Sequence, residues 1–517
     1  MEMKNIYSFA AIVLAANIAT AATYLRNSEV SEADWTGSTT WVDPSTYEPI
    51  ATPPTSSDNV RIWYGTTNIS ATAAATNISM KAGESGAGDT PAFNIASDLT
   101  LSDSFYVEKG NVNITAGTVD VKGGGDNKGI VFYSGNISLS GTSETKSNTF
   151  FSGDNGVANA GPLTINISDS AKLTATNVAN GFGFGINART QDVLVNITDN
   201  AILTGRLKVG IGNNDTKPTY SAKATVNISG NAAVNADYIN LYRNGTLNVS
   251  GSAVITITND ARLGDMSNLN SESAATADSV TFSGSSRLNI NTSNNNGGAM
   301  IFNGATVTFE GDSVLNVNRN VYVGKHYQDT FSSGHLVLKD NVQTFSGANL
   351  ILLHENATVE IYGSNIKPLS GQTYNFTNLG ASAYRSQMGG TIKYIADADG
   401  ISQLKINTIV ALDTDKNTGY DLLLDFTNFV LTEGETKQMA IIYSNSSSNV
   451  IAAYETYQDD LISVIKAKEQ DTYSIYASGK TLFIDYTSAV IPEPATYASL
   501  FGALAIAFAL MRRRVRK

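Results

Sequence analysis

The sequence has no cysteine and only three histidines, His326, His335 and His354. The first absence excludes a disulfide framework, a thiolate metal site and a cysteine nucleophile. The second leaves little for imidazole chemistry, and no H-E-x-x-H or related spacing occurs. Charge is scarce too: 15% of the 517 residues are charged, against about 25% in an average globular chain. The balance is acidic, with a formal net charge of −12. That argues against a nucleic-acid partner, because phosphate neutralisation needs clustered Lys and Arg. Asn, Thr, Ser and 44 Gly carry the polarity instead. Hydrophobic residues still make up 42%, enough to build a core, and the length exceeds one ordinary compact core. The composition is that of an exported, polar, β-rich protein.

The body is built from short alternating segments. Thr164-Ile165-Asn166-Ile167, Leu194-Val195-Asn196-Ile197, Thr225-Val226-Asn227-Ile228 and Thr246-Leu247-Asn248-Val249 share one frame, and Ser279–Phe282 and Thr306–Phe309 continue it. Each ends in Gly, Asp or another small polar residue. Period two buries one face of a strand and exposes the other. From Ile167 the equivalent positions follow at 30, 31, 21, 33 and 27 residues. Further strands, such as Leu207-Lys208-Val209 and Ala253–Thr258, lie inside each unit. Strand-only repeats of this length point to an all-β fold, a right-handed parallel β-helix (solenoid) of about eight to ten coils, roughly 40–50 Å long. A string of β-sandwiches is the alternative. Its hairpins would need Asn-Gly turns at regular intervals; Asn244-Gly245 and Asn303-Gly304 could serve, but they are isolated from each other.

A solenoid needs caps over its end edges. Trp35, Trp41 and Trp63 all lie early, and Pro54-Thr55-Ser56-Ser57-Asp58-Asn59-Val60-Arg61-Ile62 leads into the first coil. This opening resembles that of autotransporter-like β-helix surface proteins. Beyond about residue 365 the repeat fades into longer strands with more Tyr, giving residues 366–487 as a C-terminal β cap or small β domain. Residues 23–110 read as the N-terminal cap and first coils, and 111–365 as the repeats.

Both ends carry addresses. Residues 1–22 have a short basic start, an apolar stretch Ile6–Ile18, and Ala19-Thr20-Ala21 in an A-x-A arrangement, which reads as a signal peptide cleaved after Ala21 or Ala22. Residues 491–517 contain Pro492-Glu493-Pro494, an apolar run from Ala498 to Met511, then Arg512, Arg513, Arg514, Arg516 and Lys517. The run reads as one C-terminal transmembrane helix over Ala495–Met511, with the basic cluster as the cytoplasmic stop. The tail resembles the PEP-CTERM sorting signal of diderm bacteria. That resemblance implies recognition of Pro492, Glu493 and Pro494 by an exosortase. The chain would then be an inner-membrane precursor whose body is released to the cell surface or outside. Without residues 1–22 and 495–517 the body has 28 basic and 45 acidic residues, a net charge of −17.

Catalytic patterns are thin. Asp459-Asp460 is the only adjacent Asp pair and lies outside the repeats, and no G-x-S-x-G elbow occurs. Calcium has one candidate: Asp413, Asp415 and Asn417 alternate as in calcium loops, although Thr418 and Leu424 depart from the EF-hand pattern. Asn-x-Ser/Thr triplets at Asn68, Asn77, Asn113, Asn136, Asn166, Asn196, Asn227 and Asn248 fit the polar alternation of the repeat better than glycan acceptance. The reading is a non-enzymatic surface or matrix protein, structural or adhesive. The alternative is a protein that binds or processes extracellular polysaccharide. A uniform Asn/Thr/Ser face favours the first, and convergent Asp, Lys and Arg on consecutive coils favour the second.

Overall fold

A computed structural model describes residues 21–81, 90–123, 129–153, 161–175, 183–188, 191–210, 222–264, 279–325, 331–344, 348–368, 378–379, 389–406, 408–409, 420–444, 448–490 and 494–514. The chain is mostly strand, arranged in long parallel sheets. It visits three ladders in turn. The first ladder stacks Leu163–Ile167, Val193–Ile197, Ala224–Ile228 and Gly245–Val249, each parallel and in register with the next. The second stacks Lys172–Ala175, Ile202–Thr204, Ala233–Ala236 and Val254–Ile257. The third stacks Phe184–Asn187, Leu207–Val209, Ile239–Leu241 and Ala261–Leu263. Asn244-Gly245 and Asn303-Gly304 do not make hairpins. Asn244 and Asn303 adopt positive φ where the chain turns from the third ladder into the first.

Alternation sets the packing. In the first ladder Leu163, Ile165 and Ile167 point inward and Thr164 and Asn166 outward, and the pattern repeats rung after rung. The inward side chains form one continuous core from Tyr24 to Tyr486. Each buried Ile, Leu, Val or Phe contributes roughly 1.5–3 kcal/mol of transfer free energy. Near the N-terminus the core is an aromatic spine: Phe93, Phe105, Phe132, Phe150 and Phe184 succeed one another at centroid distances of 5.4–5.9 Å.

The corner after the first ladder repeats as closely as the strands. Gly141, Asp169, Asp199, Gly230, Gly251, Gly284, Gly311 and Asp340 all have φ between 57° and 69°. Two residues later comes a buried residue, small in all but the last: Ser143, Ala171, Ala201, Ala232, Ala253, Ser286, Ser313 and Val342. Successive corners bond to each other, as Asn231 N to Asp199 O (2.7 Å) and Ser252 N to Gly230 O (2.8 Å).

The ends differ from the middle. At the start, Thr23–Arg26 pairs antiparallel with Trp41–Val42, which pairs with Pro49–Ile50. Trp41 is fully buried and donates Nε1–H to Trp35 O at 2.8 Å. Arg26 is also fully buried, giving its guanidinium protons to Thr67 Oγ1 and to the carbonyls of Asn27, Val30 and Thr66. The ladders do not stop where the repeat fades in the sequence. The first ladder continues through Gly389–Ile395 and Asp421–Asp425 to Ile462–Ile465, giving sixteen rungs among the described residues rather than eight to ten. At about 4.8 Å per rung this is roughly 70 Å. Leu404–Ile406, Thr436–Ser444, Thr481–Thr487 and Thr472–Ser478 form a separate four-stranded sheet, in which the last two strands along the chain, Thr472–Ser478 and Thr481–Thr487, pair as a hairpin. Helices Ser448–Thr456 and Gln458–Leu461, which strand periodicity does not announce, accompany this sheet.

The C-terminal expectation needs correction. A helix does run over Pro494–Arg514, but among the described residues no helix is long and apolar enough to cross a membrane. The apolar run Ala498–Met511 is 14 residues, about 21 Å at 1.5 Å per residue, against a hydrocarbon thickness of about 30 Å. Its Leu500, Phe501, Ile506 and Phe508 are well exposed.

Candidate functional site

The outward side of the first ladder forms two columns of short side chains. One includes Thr164, Leu194, Thr225, Thr246, Ser279 and Thr306, and the other Asn166, Asn196, Asn227, Asn248, Thr281 and Thr308. From Thr66–Ile69 to Thr306–Phe309, ten successive rungs present no charged residue on this side. Charge returns further along at Glu360, Lys393, Asp421 and Asp425, where Lys393 Nζ lies 3.9 Å from Glu360 and 3.7 Å from Asp425. The second ladder is unlike this face. It carries Asp120, Glu144, Lys146, Lys172 and Arg287 outward, with Lys146 3.1 Å from Glu144.

The asparagines of the face bond along the stack. Asn196 Nδ2 donates to Asn166 Oδ1 at 2.8 Å, Asn227 to Asn196 at 3.0 Å and Asn248 to Asn227 at 2.9 Å. A second row links Asn113 to Asn94 and Asn94 to Asn68, both at 2.8 Å. The 4.8 Å strand spacing suits an amide donating to the amide one rung away. Of the eight Asn in Asn-x-Ser/Thr triplets named above, six give Nδ2 to an amide one rung away, Asn68 gives it to Glu32 Oε1, and Asn166 begins a row as acceptor. A glycan on those nitrogens would have to replace the bond.

The third ladder carries a different surface. Its outward column runs Lys208, Asn240, Arg262, Met300, Tyr322 and Ile351 in register. The last three are buried with Tyr242, Phe302 and Leu353 in an apolar cluster separate from the main core. At the other end of the column, Arg206 holds Asp237 with Nη2 at 2.6 Å and Nε at 3.4 Å from its oxygens. The guanidinium carbons of Arg206 and Arg262 lie 4.5 and 4.7 Å from the Tyr238 ring centroid. Arg262 Nη2 reaches Asp260 Oδ2 at 3.4 Å. Burial, and then the neighbouring Arg206 charge, pull the Lys208 ammonium below its ordinary value, with Asp237 opposing. Asn240 is 5% exposed, and its Oδ1 has no hydrogen-bond partner. The cluster is missed by motif reading because its members are far apart in sequence. Their recurrence at the coil spacing, Arg206, Tyr238 and then Arg262, is the signal that could have found it.

Other expected residues are dispersed. Asp413, Asp415, Asn417 and His326 lie outside the described residues, as do Pro492, Glu493, Arg516 and Lys517. Pro494 opens the last helix, which Arg512, Arg513 and Arg514 close, with Arg512 exposed. His335 stands outward on the first ladder, and His354 Nδ1 accepts from Asn356 N at 3.1 Å. Asp397 closes a turn, with its oxygens accepting from Asp399 N and Ser364 N. Among the described residues no group of three or more His, Cys, Asp and Glu could hold a metal ion. A cavity of about 70 Å³, lined by Phe429, Leu431, Lys468, Asp471, Tyr486 and neighbours, is far below the roughly 300 Å³ where small-molecule sites begin.

No protein-family model, no curated protein and no solved structure matches this chain.

Proposed function

We propose that this is an exported, non-catalytic surface or matrix protein, structural or adhesive, whose three ladders wind as a right-handed parallel β-helix. The observation that carries the reading is the ten-rung uncharged face. The body as a whole is acidic and repels anionic surfaces. One side alone offers hydroxyls and amides at a fixed repeat, which suits many weak contacts acting together along a rod. Residues 1–22 direct export. Pro492, Glu493 and Pro494 mark the tail for an exosortase.

The test has two parts. In an exporting host with exosortase, surface material analysed by mass spectrometry should lack the Arg512-to-Lys517 end; recovery of that end in surface material refutes processing. Alanines at Pro492, Glu493 and Pro494 should leave the tail attached. Lysines replacing Thr225 and Thr246 should leave the fold intact and abolish surface or matrix attachment. Retained attachment would remove the face from the reading.

A second reading, a binder of extracellular polysaccharide, is favoured by the Arg206, Lys208, Asp237, Tyr238, Asp260 and Arg262 cluster on consecutive coils. Two guanidinium groups already lie 4.5 and 4.7 Å from the centroid of the Tyr238 ring, which makes it a poor platform for a sugar, so the first reading is preferred. Glycan binding lost on Arg262→Ala but kept with lysines at 225 and 246 would reverse that order.

A further inference from the structure

Asp58 is a buried carboxylate whose hydrogen bonds are made but whose charge is not matched. Its side chain belongs to a residue only 7% exposed. Oδ2 accepts from Thr55 N at 2.8 Å and from Thr55 Oγ1 at 2.7 Å, and Oδ1 accepts from the backbone nitrogen of Ala22 at 3.1 Å. No Lys, Arg or His among the described residues pairs with it. A carboxylate this far from water ordinarily has a cation beside it.

The missing charge has a source one bond away. Ala21 and Ala22 are exposed, and the chain becomes buried only from Tyr24 onward. Ala22 is already part of the fold: its carbonyl accepts from Asn59 N at 2.8 Å, and the following strand pairs Thr23 with Asn59. Resting on the export reading above, we infer that the peptide bond between Ala21 and Ala22 is the one cut, and that the new α-ammonium of Ala22 becomes the counter-ion of Asp58. Hydrolysis by the export peptidase adds one water across this bond. The C–N bond breaks, Ala21 keeps the carboxylate, and the Ala22 nitrogen leaves as an amine that takes up a proton at neutral pH. A neutral N–H···O⁻ bond thereby becomes a charge-assisted pair, shorter and roughly twice as strong. Cutting one residue later would remove both the Asp58 contact and the Asn59 contact. Of the two cleavage positions compatible with Ala19-Thr20-Ala21, the structure therefore selects the first. Removal of the leader is then also the step that locks the start of the ladders: Asp58 binds the new terminus through Oδ1 and the Thr55 turn through Oδ2, while its own carbonyl accepts from Thr76 N at 2.6 Å.

The test begins with N-terminal sequencing and intact mass of protein recovered from an exporting host. A start at Ala22 is expected. A start at Thr23 overturns the lock while leaving export processing standing, and an intact Met1 overturns both. The second measurement compares melting midpoints of the processed protein and of the same chain with one glycine ahead of Ala22, which restores an amide at that nitrogen. The extension should lower the midpoint by several degrees in the wild type and leave it unchanged in Asp58→Asn. Equal shifts in the two backgrounds, or none in the wild type, would overturn the ion pair.

Discussion

Gly251 illustrates what a single position must satisfy in a stacked corner. Its φ is +66°, and a Cβ placed there would lie 3.0 Å from Gly230 N and 3.1 Å from Gly230 O. Asp169, Asp199 and Asp340 take the same φ with a side chain, so the conformation alone does not forbid one. The close approach of the neighbouring corner adds to the cost. Gly251→Ala should lose about 1–3 kcal/mol, read by denaturant unfolding, from left-handed strain together with the contact. Two residues further on in the corner, a change to alanine stabilises instead. Ser143 and Ser313 occupy the slot that Ala171, Ala201, Ala232 and Ala253 fill on other rungs, and the hydroxyl oxygens of both serines are buried without a partner among the described residues. Ser313→Ala removes an unsatisfied polar group and leaves no new cavity beyond the hydroxyl itself. The same measurement should show a gain of about 1 kcal/mol, the scale of a buried polar group left unpaired. A loss there would mean that Ser313 has a role other than filling the slot.

Asparagine rows act at the scale of the element, since each amide serves the rung before it and the rung after it. Asn227 donates to Asn196 and accepts from Asn248. Asn227→Asp keeps the acceptor, loses the donor and sets a carboxylate against Asn196 Oδ1. Thermal unfolding should register a loss of about 1–3 kcal/mol at neutral pH, partly recovered in acid as the carboxyl regains a proton. The last strand is held differently. Asp471 accepts from Tyr486 OH at 2.7 Å, Ala489 N at 2.8 Å and Lys468 N at 3.0 Å, and so fixes the chain just before the tail. Desolvation raises the Asp471 pKa, but the bonds from Ala489, Tyr486 and Lys468 together outweigh it, and the net direction is down. A carboxyl depressed in the folded state contributes stability that is present above the unfolded value near 4 and is lost as pH falls through the folded value. Tyr486, pushed up to about 12 by burial and then by Asp471, acts at the other limit. The unfolded phenol ionises near 10 while the folded one keeps its proton, so stability falls as pH rises from about 10 to 12. Asp471→Asn should flatten the acid limb and lower the midpoint at pH 7. An unchanged acid limb would show that the clamp contributes nothing to it.

At the scale of the molecule, period two carried most of the fold. Val112, Ile165, Val195, Val226, Leu247, Val280 and Val307 all lie inward, as the alternating segments indicate. The fixed corner was visible as the Gly or Asp that closes each segment. Two things were not legible, for different reasons. The continuation past residue 365 was hidden because its strands lose the common length and frame of the repeat, and the last step widens to the 40 residues from Leu422 to Ile462, while pairing stays parallel. The Arg206–Tyr238–Arg262 cluster was hidden because each member is an ordinary residue in its own strand or corner, and only stacking brings them together. The uncharged face was half legible: the Thr and Asn alternation is plain, but its restriction to one ladder depends on which strands stack. Length decides between the two accounts of the rod. Sixteen rungs at about 4.8 Å give ladders of roughly 70 Å, so with the end sheet the processed body should reach a maximum dimension near 80 Å. A compact sphere of the same chain, with a radius of gyration near 23 Å, would reach only about 60 Å. Small-angle scattering of residues 22–494 should therefore give an asymmetric distance distribution with the larger maximum. A symmetric one ending near the smaller value would show that the ladders do not stack as a single rod.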